Sequence, residues 1–310
     1  MRMLLKNMLD LSIVIVNFNA KEYLKKCIDS IFESKLENFE VIVVDNFSKD
    51  GSVEEIKSYI KRIANKQACS LVLLENKKNT GFSAANNQGI KKATGRYILF
   101  LNPDTIVYPN TFKIMVDFMD KDKNVGAATC KVLLLNGELD DSSHRGFPTP
   151  WNSFSYFLGL SKLFPKLRLF SEYTLGFLDL SKIHEIDSLG GAFMLVRRQA
   201  GEKVGWWDED YFFYGEDIDF CFRLKEKGWK IYFVPNASIL HHKGLSSGIK
   251  SHSKHLSHAD LETQKAATVA RYDAMKIFYR KHYSKKYSRL MGFLVNTFIN
   301  LKFWISLKKL

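Results

Sequence analysis

The sequence has no paired cysteines. Cys27, Cys69, Cys130 and Cys221 stand singly, with no CxxC among them. That excludes a zinc ribbon, a thioredoxin-type redox motif and a disulfide scaffold, and it fits a reducing cytoplasm. Two common nucleotide-binding signatures are missing as well. The turn after the first apolar run, NFNAKEYL, contains no glycine, which argues against a dinucleotide-binding Rossmann fingerprint, and there is no GxxxxGK[ST] loop. No apolar run is both long and clean. The opening MRMLLKNMLD is too short for a secretory signal. Near the other end, LMGFLVNTFINLKFWISL is broken by two asparagines and Lys302, too polar for a straightforward spanning helix.

What remains is the composition of a folded globular chain: 310 residues, 46% hydrophobic and 25% charged. The net charge of +13 is unevenly spread. From Lys250 onward there are 13 Lys or Arg against 3 Asp or Glu, so the tail carries +10 and the first 249 residues only +3. A nearly neutral body with a basic tail points to an anionic partner for the tail, either lipid head groups or nucleic acid.

Along the body, short β-branched runs alternate with helical patterns. Strands are predicted at Ser12–Asn17, Phe39–Asp45, Leu71–Leu74, Tyr97–Leu101 and about 125–132, with helices over Lys21–Phe32, up to Ile63, in the small-residue stretch after Gly81, and over Pro109–Met119. This pattern predicts an α/β fold with a mostly parallel central sheet and helices on both faces. Three strand ends carry polar turns: Asn17 and Asn19, Asp45 and Asn46, and Asn102-Pro103-Asp104. In a parallel sheet these ends share one edge, where such sheets bind ligands. Proline stops the strand before Asp104. That carboxylate either holds a divalent ion on a nucleotide diphosphate or simply caps the next helix.

Between Leu135 and Ile186 the alternation fails, and aromatics crowd an irregular insertion. Order returns with GGAFMLVRR, a strand opened by Gly190 and Gly191, which suits close approach of backbone to a ligand. A helix from Glu216 to Lys227 follows an aromatic stretch holding Trp206, Trp207, Tyr211, Phe212, Phe213 and Tyr214. Two short strands then lead to HHKGLSSG.

Seven of these stretches occur in one order: SIVIVNFNAKEYLKKCIDSI, VIVVDNFSKDGS, NTGFSAANNQGI, LFLNPDT, LGGAFMLVRR, YFFYGEDIDFCFRLKEKGW and HHKGLSSG. Together they resemble the family 2 inverting glycosyltransferases of the GT-A fold, and within them the rhamnosyltransferase-like enzymes of bacterial surface polysaccharides. The resemblance covers roughly residues 10 to 280. It implies a catalytic domain over 1–250, with a nucleotide-binding half at about 10–135, an insertion at 136–188 and an acceptor or catalytic half at 189–250, and a basic amphipathic region over 251–310. It implies that Asp45 contacts the nucleobase beside Asn17, Asn19 and Asn46. It also implies that Gly81 and the helix after it lie against ribose and diphosphate, with Asn102, Gly190 and Gly191 lining the donor site. NPD stands where the family has its DxD-type motif, so Asp104 becomes the expected ligand of Mg²⁺ or Mn²⁺, with His241 as a second. Asn102 replaces the motif's first aspartate. By match to the ED motif, Asp217 is the expected base, with Glu216, Trp207 and Tyr214 on the acceptor. Asp219 reads as structural.

The function so implied is transfer of a sugar, rhamnose from dTDP-rhamnose or a hexose from a UDP-sugar, to a hydroxyl of a glycan or lipid-linked glycan. The tail reads as amphipathic helices lying on an anionic membrane surface, which implies a cytoplasmic enzyme on the inner face of a bacterial cell membrane. Packing on the body or a homodimer contact are the alternatives. A sugar-1-phosphate nucleotidyltransferase would need an N-terminal Gly/Arg-rich loop that is missing. A nucleic-acid-binding protein would leave Asp217 without a use.

Overall fold

The computed structural model describes residues 9–63, 70–242 and 261–308. Cys69 and the KGLSSG part of the last motif lie outside them. The first half is built from β1 (Leu11–Asn17), α1 (Lys21–Phe32), β2 (Phe39–Asp45), α2 (Ser52–Ile63), β3 (Ser70–Glu75), α3 (Phe82–Ile90), β4 (Tyr97–Leu101), β5 (Thr105–Val107), α4 (Thr111–Lys121) and β6 (Val125–Leu134). The second half adds three short insertion helices, α5 (Pro150–Phe157), α6 (Leu160–Leu163) and α7 (Arg168–Ser171). It continues with β7 (His184–Glu185), β8 (Phe193–Arg197), α8 (Arg198–Val204), α9 (Glu216–Glu226), β9 (Lys230–His241), α10 (Leu261–Phe278) and α11 (Arg289–Leu307).

All nine strands form one sheet in the order β3-β2-β1-β4-β8-β6-β9-β5, with β7 attached to β9. β3, β2, β1 and β4 run parallel to one another, as their alternation with helices requires. Beyond β4 the sheet is mixed, because β8 runs antiparallel to both β4 and β6. β1, β2 and β4 are buried along their whole lengths, which explains their unbroken apolar sequences. Helices pack on both faces over two apolar clusters, one centred on Ile13, Val43 and Phe112, the other on Val14, Phe100 and Phe220.

The expected pair of strands at Ile231–Val234 and Ala237–Leu240 is one strand, β9. It absorbs Pro235 through a register irregularity where Cys130/Lys131 of β6 face it, so the proline interrupts pairing without ending the strand. The tail also differs from an independent appendage. α10 and the π-helical turn Tyr279–Tyr283 share a third apolar cluster with Tyr211 and Phe222 of the body. His282 Nε2 lies 2.7 Å from Asp219 Oδ1 beneath α9, and Lys281 pairs with Asp210 at 2.6 Å. α11 is different: it is almost unburied, and by length and hydropathy it is long and apolar enough to cross a membrane.

Candidate active site

Strand pairing assembles the first cluster. β5 runs antiparallel to the end of β9 and puts Thr105 opposite His241, so Asp104 and His241 are neighbours by register. Asp104 Oδ1 lies 3.2 Å from His241 Nε2, and the Asn102 amide nitrogen is 3.4 Å from the same ring nitrogen. β6 ends beside His241, and the chain turns back so that Asp140, fully buried, lies 2.9 Å from Nδ1 through its Oδ2. Ser142 donates its backbone N–H and hydroxyl to the other oxygen of Asp140. Burial opposes a charge on His241, but Asp104 and Asp140 outweigh it and raise the imidazole to about 9. Two hard or borderline donors, Asp104 and His241, thus face one point, with a carboxylate behind the imidazole to fix its orientation. That donor set suits a divalent cation whose remaining ligands are diphosphate oxygens and water.

The second cluster sits at the start of α9. Gly215 takes a left-handed conformation as the N-cap (φ 80°) and launches the helix with Glu216 and Asp217 in its first turn, where the helix dipole favours negative charge. Arg145 Nη2 donates to Asp217 Oδ2 at 2.7 Å, with both side chains largely buried. Arg145 is itself placed by reciprocal backbone hydrogen bonds with Ser188. Burial disfavours its charge, but Asp217 overrides this and holds the guanidinium charged. Glu216 differs from its neighbour. Its Oε2 has no partner among the described residues, and burial, followed by the Asp217 charge, raises its carboxyl from 4.5 to about 8. At neutral pH Glu216 therefore keeps its proton beside the arginine-bound Asp217.

Both clusters line one cavity of about 2180 Å³, which also takes in Asn46, Gly81, Asn102, Gly190, Gly191 and Tyr214. Gly81, the N-cap of α3 (φ 85°), could not carry a side chain, because a Cβ would lie 2.8 Å from Phe212. Several predicted residues also have partners within the fold. Asn17 and Asp45 face each other across β1 and β2 and hydrogen-bond at 2.8 Å, and Asp45 Oδ1 also accepts the Ser48 backbone N–H. Asn19 accepts from Lys49 in the turn above them. Asn46 donates to Asn79 and accepts from Asn76 and Thr80, so its amide braces the loop before α3. Trp207 lies beneath the cavity in the core, against Phe100 and Phe220; its large apolar surface drew it inside rather than to an acceptor wall. Asp219 is fully buried between Arg223 and His282. Sequence reading missed Asp140 and Arg145, since both lie in the segment without periodicity.

The profile of glycosyl transferase family 2 matches residues 12–179, the stretch that supplies Asp45, Asp104, Asp140 and Arg145. The chain belongs to this family. Among its family 2 relatives is the rhamnosyltransferase WbbL of Escherichia coli K12, 28% identical over 239 residues, covering 74% of this chain and 82% of WbbL. Another is the N-acetylglucosaminyl-diphospho-decaprenol L-rhamnosyltransferase of Mycobacterium tuberculosis, 26% identical over 249 residues, covering 77% of this chain and 78% of that enzyme. The GT-A fold is shared with the mannosyltransferase PcManGT of Pyrobaculum calidifontis, solved with GDP-Man and Mn²⁺ (TM-score 0.58, 14% identity, 98% of this chain and 73% of that one). It is also shared with GalNAc-T7, solved with UDP, GalNAc and Mn²⁺ (TM-score 0.57, 18% identity, 90% and 59%).

Proposed function

We propose that the protein is an inverting, metal-dependent glycosyltransferase that moves a sugar from a nucleoside diphosphate to a hydroxyl of a lipid-linked glycan. The observation carrying this reading is that Asp104 with His241, and Asp217 with Arg145, line the same cavity. In a single displacement the acceptor oxygen bonds to the anomeric carbon, the bond from that carbon to the diphosphate oxygen breaks on the opposite face, and the hydroxyl proton passes to the Asp217 carboxylate. Arg145 orients that carboxylate. Glu216, neutral below about pH 8, offers a hydrogen bond to the acceptor without adding a second negative charge beside the base. A Mg²⁺ or Mn²⁺ ion held by Asp104 and His241 would neutralise charge on the departing nucleoside diphosphate, and Asp140 keeps the imidazole aimed at it. Asn17 and Asp45, hydrogen-bonded to each other, lie behind Asn46, whose N–H donates to the Asn17 carbonyl and which lines the cavity at the end expected to take the nucleobase, and Gly81, Gly190 and Gly191 leave room for diphosphate and sugar.

Rhamnose from dTDP-rhamnose is the favoured donor, because two relatives with broad coverage are rhamnosyltransferases by name; a UDP-sugar is the second reading. The exposed apolar side chains of α11, Phe293 and Trp304 among them, together with the basic tail, suit a helix lying on the inner face of the cell membrane. The testing experiment is release of nucleoside diphosphate from a panel of nucleotide sugars, with Mn²⁺ or with EDTA.

A further inference from the structure

The insertion carries one run that is exposed from end to end. Lys162 to Leu169, KLFPKLRL, leads from the end of α6 into α7, and every one of its residues is exposed. Four of them are large and apolar: Leu163, Phe164, Leu167 and Leu169 are 43–70% exposed. None of these four lines the cavity, whereas Lys162, Pro165 and Lys166 do. The run is thus part of the cavity's rim, with its leucines and phenylalanine turned outward. It is also anchored. Trp151 Nε1 donates to the Leu169 carbonyl at 2.8 Å, the Phe164 and Phe170 rings lie 5.5 Å apart, and Ser161 and Ser171 on either side are buried.

The run's charge has one sign. Lys162, Lys166 and Arg168 are its ionisable residues, and no Asp or Glu occurs between Asp141 and Glu172. Arg168 meets Glu172 at 2.9 Å in an exposed pair, which is a weak one. The insertion also touches the tail: Phe157 of α5 meets Phe298 of α11 edge to face at 5.6 Å, and Lys302 Nζ lies 5.4 and 5.7 Å from those two rings. α11 has its own exposed apolar side chains, Leu290, Phe293, Leu301 and Trp304. A monomer in water seldom displays so many large apolar groups together. A protein groove would take them as one apolar block with charge kept to the edge. Here leucine and lysine interleave, so both must be met within a residue of each other. A bilayer surface does this, since the acyl boundary takes the apolar side chains and head-group phosphates take the cations.

We propose that the 162–169 run of the insertion is a second membrane-docking element, which seats on anionic phospholipid beside α11. Leu163, Phe164, Leu167 and Leu169 enter the boundary between head groups and acyl chains, and Lys162, Lys166 and Arg168 meet phosphate. The inference extends the reading that α11 lies on the membrane and rests on it for the neighbouring contact. Two weak contacts on one folded body then act together: either alone is marginal, and once one is seated the other binds at high local concentration. Two contacts also fix orientation, holding this side of the cavity's rim at the bilayer surface. The insertion's lack of a strand or helix period has a cause in this role, because its outward apolar residues answer to lipid rather than to the core.

The test is flotation of the full chain with vesicles of phosphatidylglycerol and phosphatidylcholine in equal parts, compared with phosphatidylcholine alone. Hydrogen–deuterium exchange of the same samples reports where the protein is covered. Wild type should float with the anionic vesicles. Leu163→Ser combined with Leu167→Ser should weaken partitioning roughly tenfold or more. Lys162→Gln combined with Lys166→Gln should weaken it about tenfold on anionic vesicles and leave any binding to phosphatidylcholine unchanged. Exchange should slow across 162–169 as well as in α11 when anionic vesicles are added, a readout that needs no substitution. Partitioning of both variants equal to wild type would overturn the proposal, as would slowing confined to α11. Self-association in the absence of lipid that Leu163→Ser with Leu167→Ser abolishes would give the face to a second copy of the chain, and would overturn it too. The tail is judged separately: loss of flotation in Phe293→Ser with Trp304→Ser, but not in the insertion variants, would refute the run and leave α11 standing. No arm of the test involves sugar transfer, which the nucleoside diphosphate assay reads on its own.

Discussion

Replacing Glu216 by glutamine removes one titration from the centre of the site and leaves its shape. The carboxyl is buried, its Oε2 meets no partner among the described residues, and burial and the Asp217 charge raise it from 4.5 to about 8. In the folded protein it keeps its proton up to about pH 8, whereas in the unfolded chain it loses it near 4.5. The unfolded chain therefore binds fewer protons across that window, and stability falls as pH rises through it. At about 1.36 kcal/mol per pH unit the whole window amounts to ~5 kcal/mol, and the portion above pH 6 to roughly 3 kcal/mol. Urea unfolding of wild type and Glu216→Gln at pH 6 and pH 9 measures that portion. The variant should gain on wild type by on the order of 3 kcal/mol more at pH 9 than at pH 6. Wild-type turnover should decline above about pH 8, where Glu216 gains its charge beside Asp217, and the variant's should not. A stability difference that is the same at both pH values would refute the buried, proton-retaining Glu216.

Three further outcomes follow from the same geometry. Arg145→Met leaves Asp217 without its buried partner, so stability should fall by about 3 kcal/mol. Turnover should fall at least tenfold while the donor KM stays near wild type; an unchanged turnover would remove Arg145 from the reaction. Asp140→Asn takes the orienting carboxylate from His241, and Mn²⁺ should then bind roughly 10- to 100-fold more weakly, read by titration of activity or by calorimetry. Mn²⁺ binding equal to wild type would leave Asp140 with a packing role only. Phe293→Ser combined with Trp304→Ser changes two exposed side chains of α11, so folding should be untouched while flotation with anionic vesicles is lost. Flotation that persists would place the membrane contact elsewhere.

The parts of the site that sequence reveals are those governed by strand ends. Fully buried strands announce themselves as apolar runs, and a proline or asparagine after such a run marks the sheet edge, which is how Asp104 and Asp45 come to notice. His241, the last residue of β9, comes to notice only through the family resemblance of HHKGLSSG. Sequence is silent on Arg145 and Asp140. They sit where the chain has neither a period of 2 nor one of 3.6, and only long-range pairing, Arg145 with Ser188 and Asp140 with His241, gives them their places. Burial also redistributes residues whose chemistry looks functional. Trp207 fills the core because an indole beside a helix is worth more in area than at a polar wall, and Asn46 is consumed in holding the loop before α3. The antiparallel β8 is invisible because a buried strand reads alike in either direction. The docking of the turn after α10 escapes because the partners of Lys281 and His282, namely Asp208, Asp210 and Asp219, are more than sixty residues away.

In the proposed reaction Asp217 acts as the base opposite a metal-held diphosphate. The most direct measurement is nucleoside diphosphate release from dTDP-rhamnose and from UDP-sugars, with acceptor and Mn²⁺ present, by wild type and by Asp217→Asn. Wild type should turn over at least one of these donors and stop when EDTA is added. Asp217→Asn, which keeps the size and removes the base, should slow transfer by roughly 10²- to 10⁴-fold while binding the donor normally. Full turnover by Asp217→Asn, or wild-type turnover undiminished by EDTA, would contradict it.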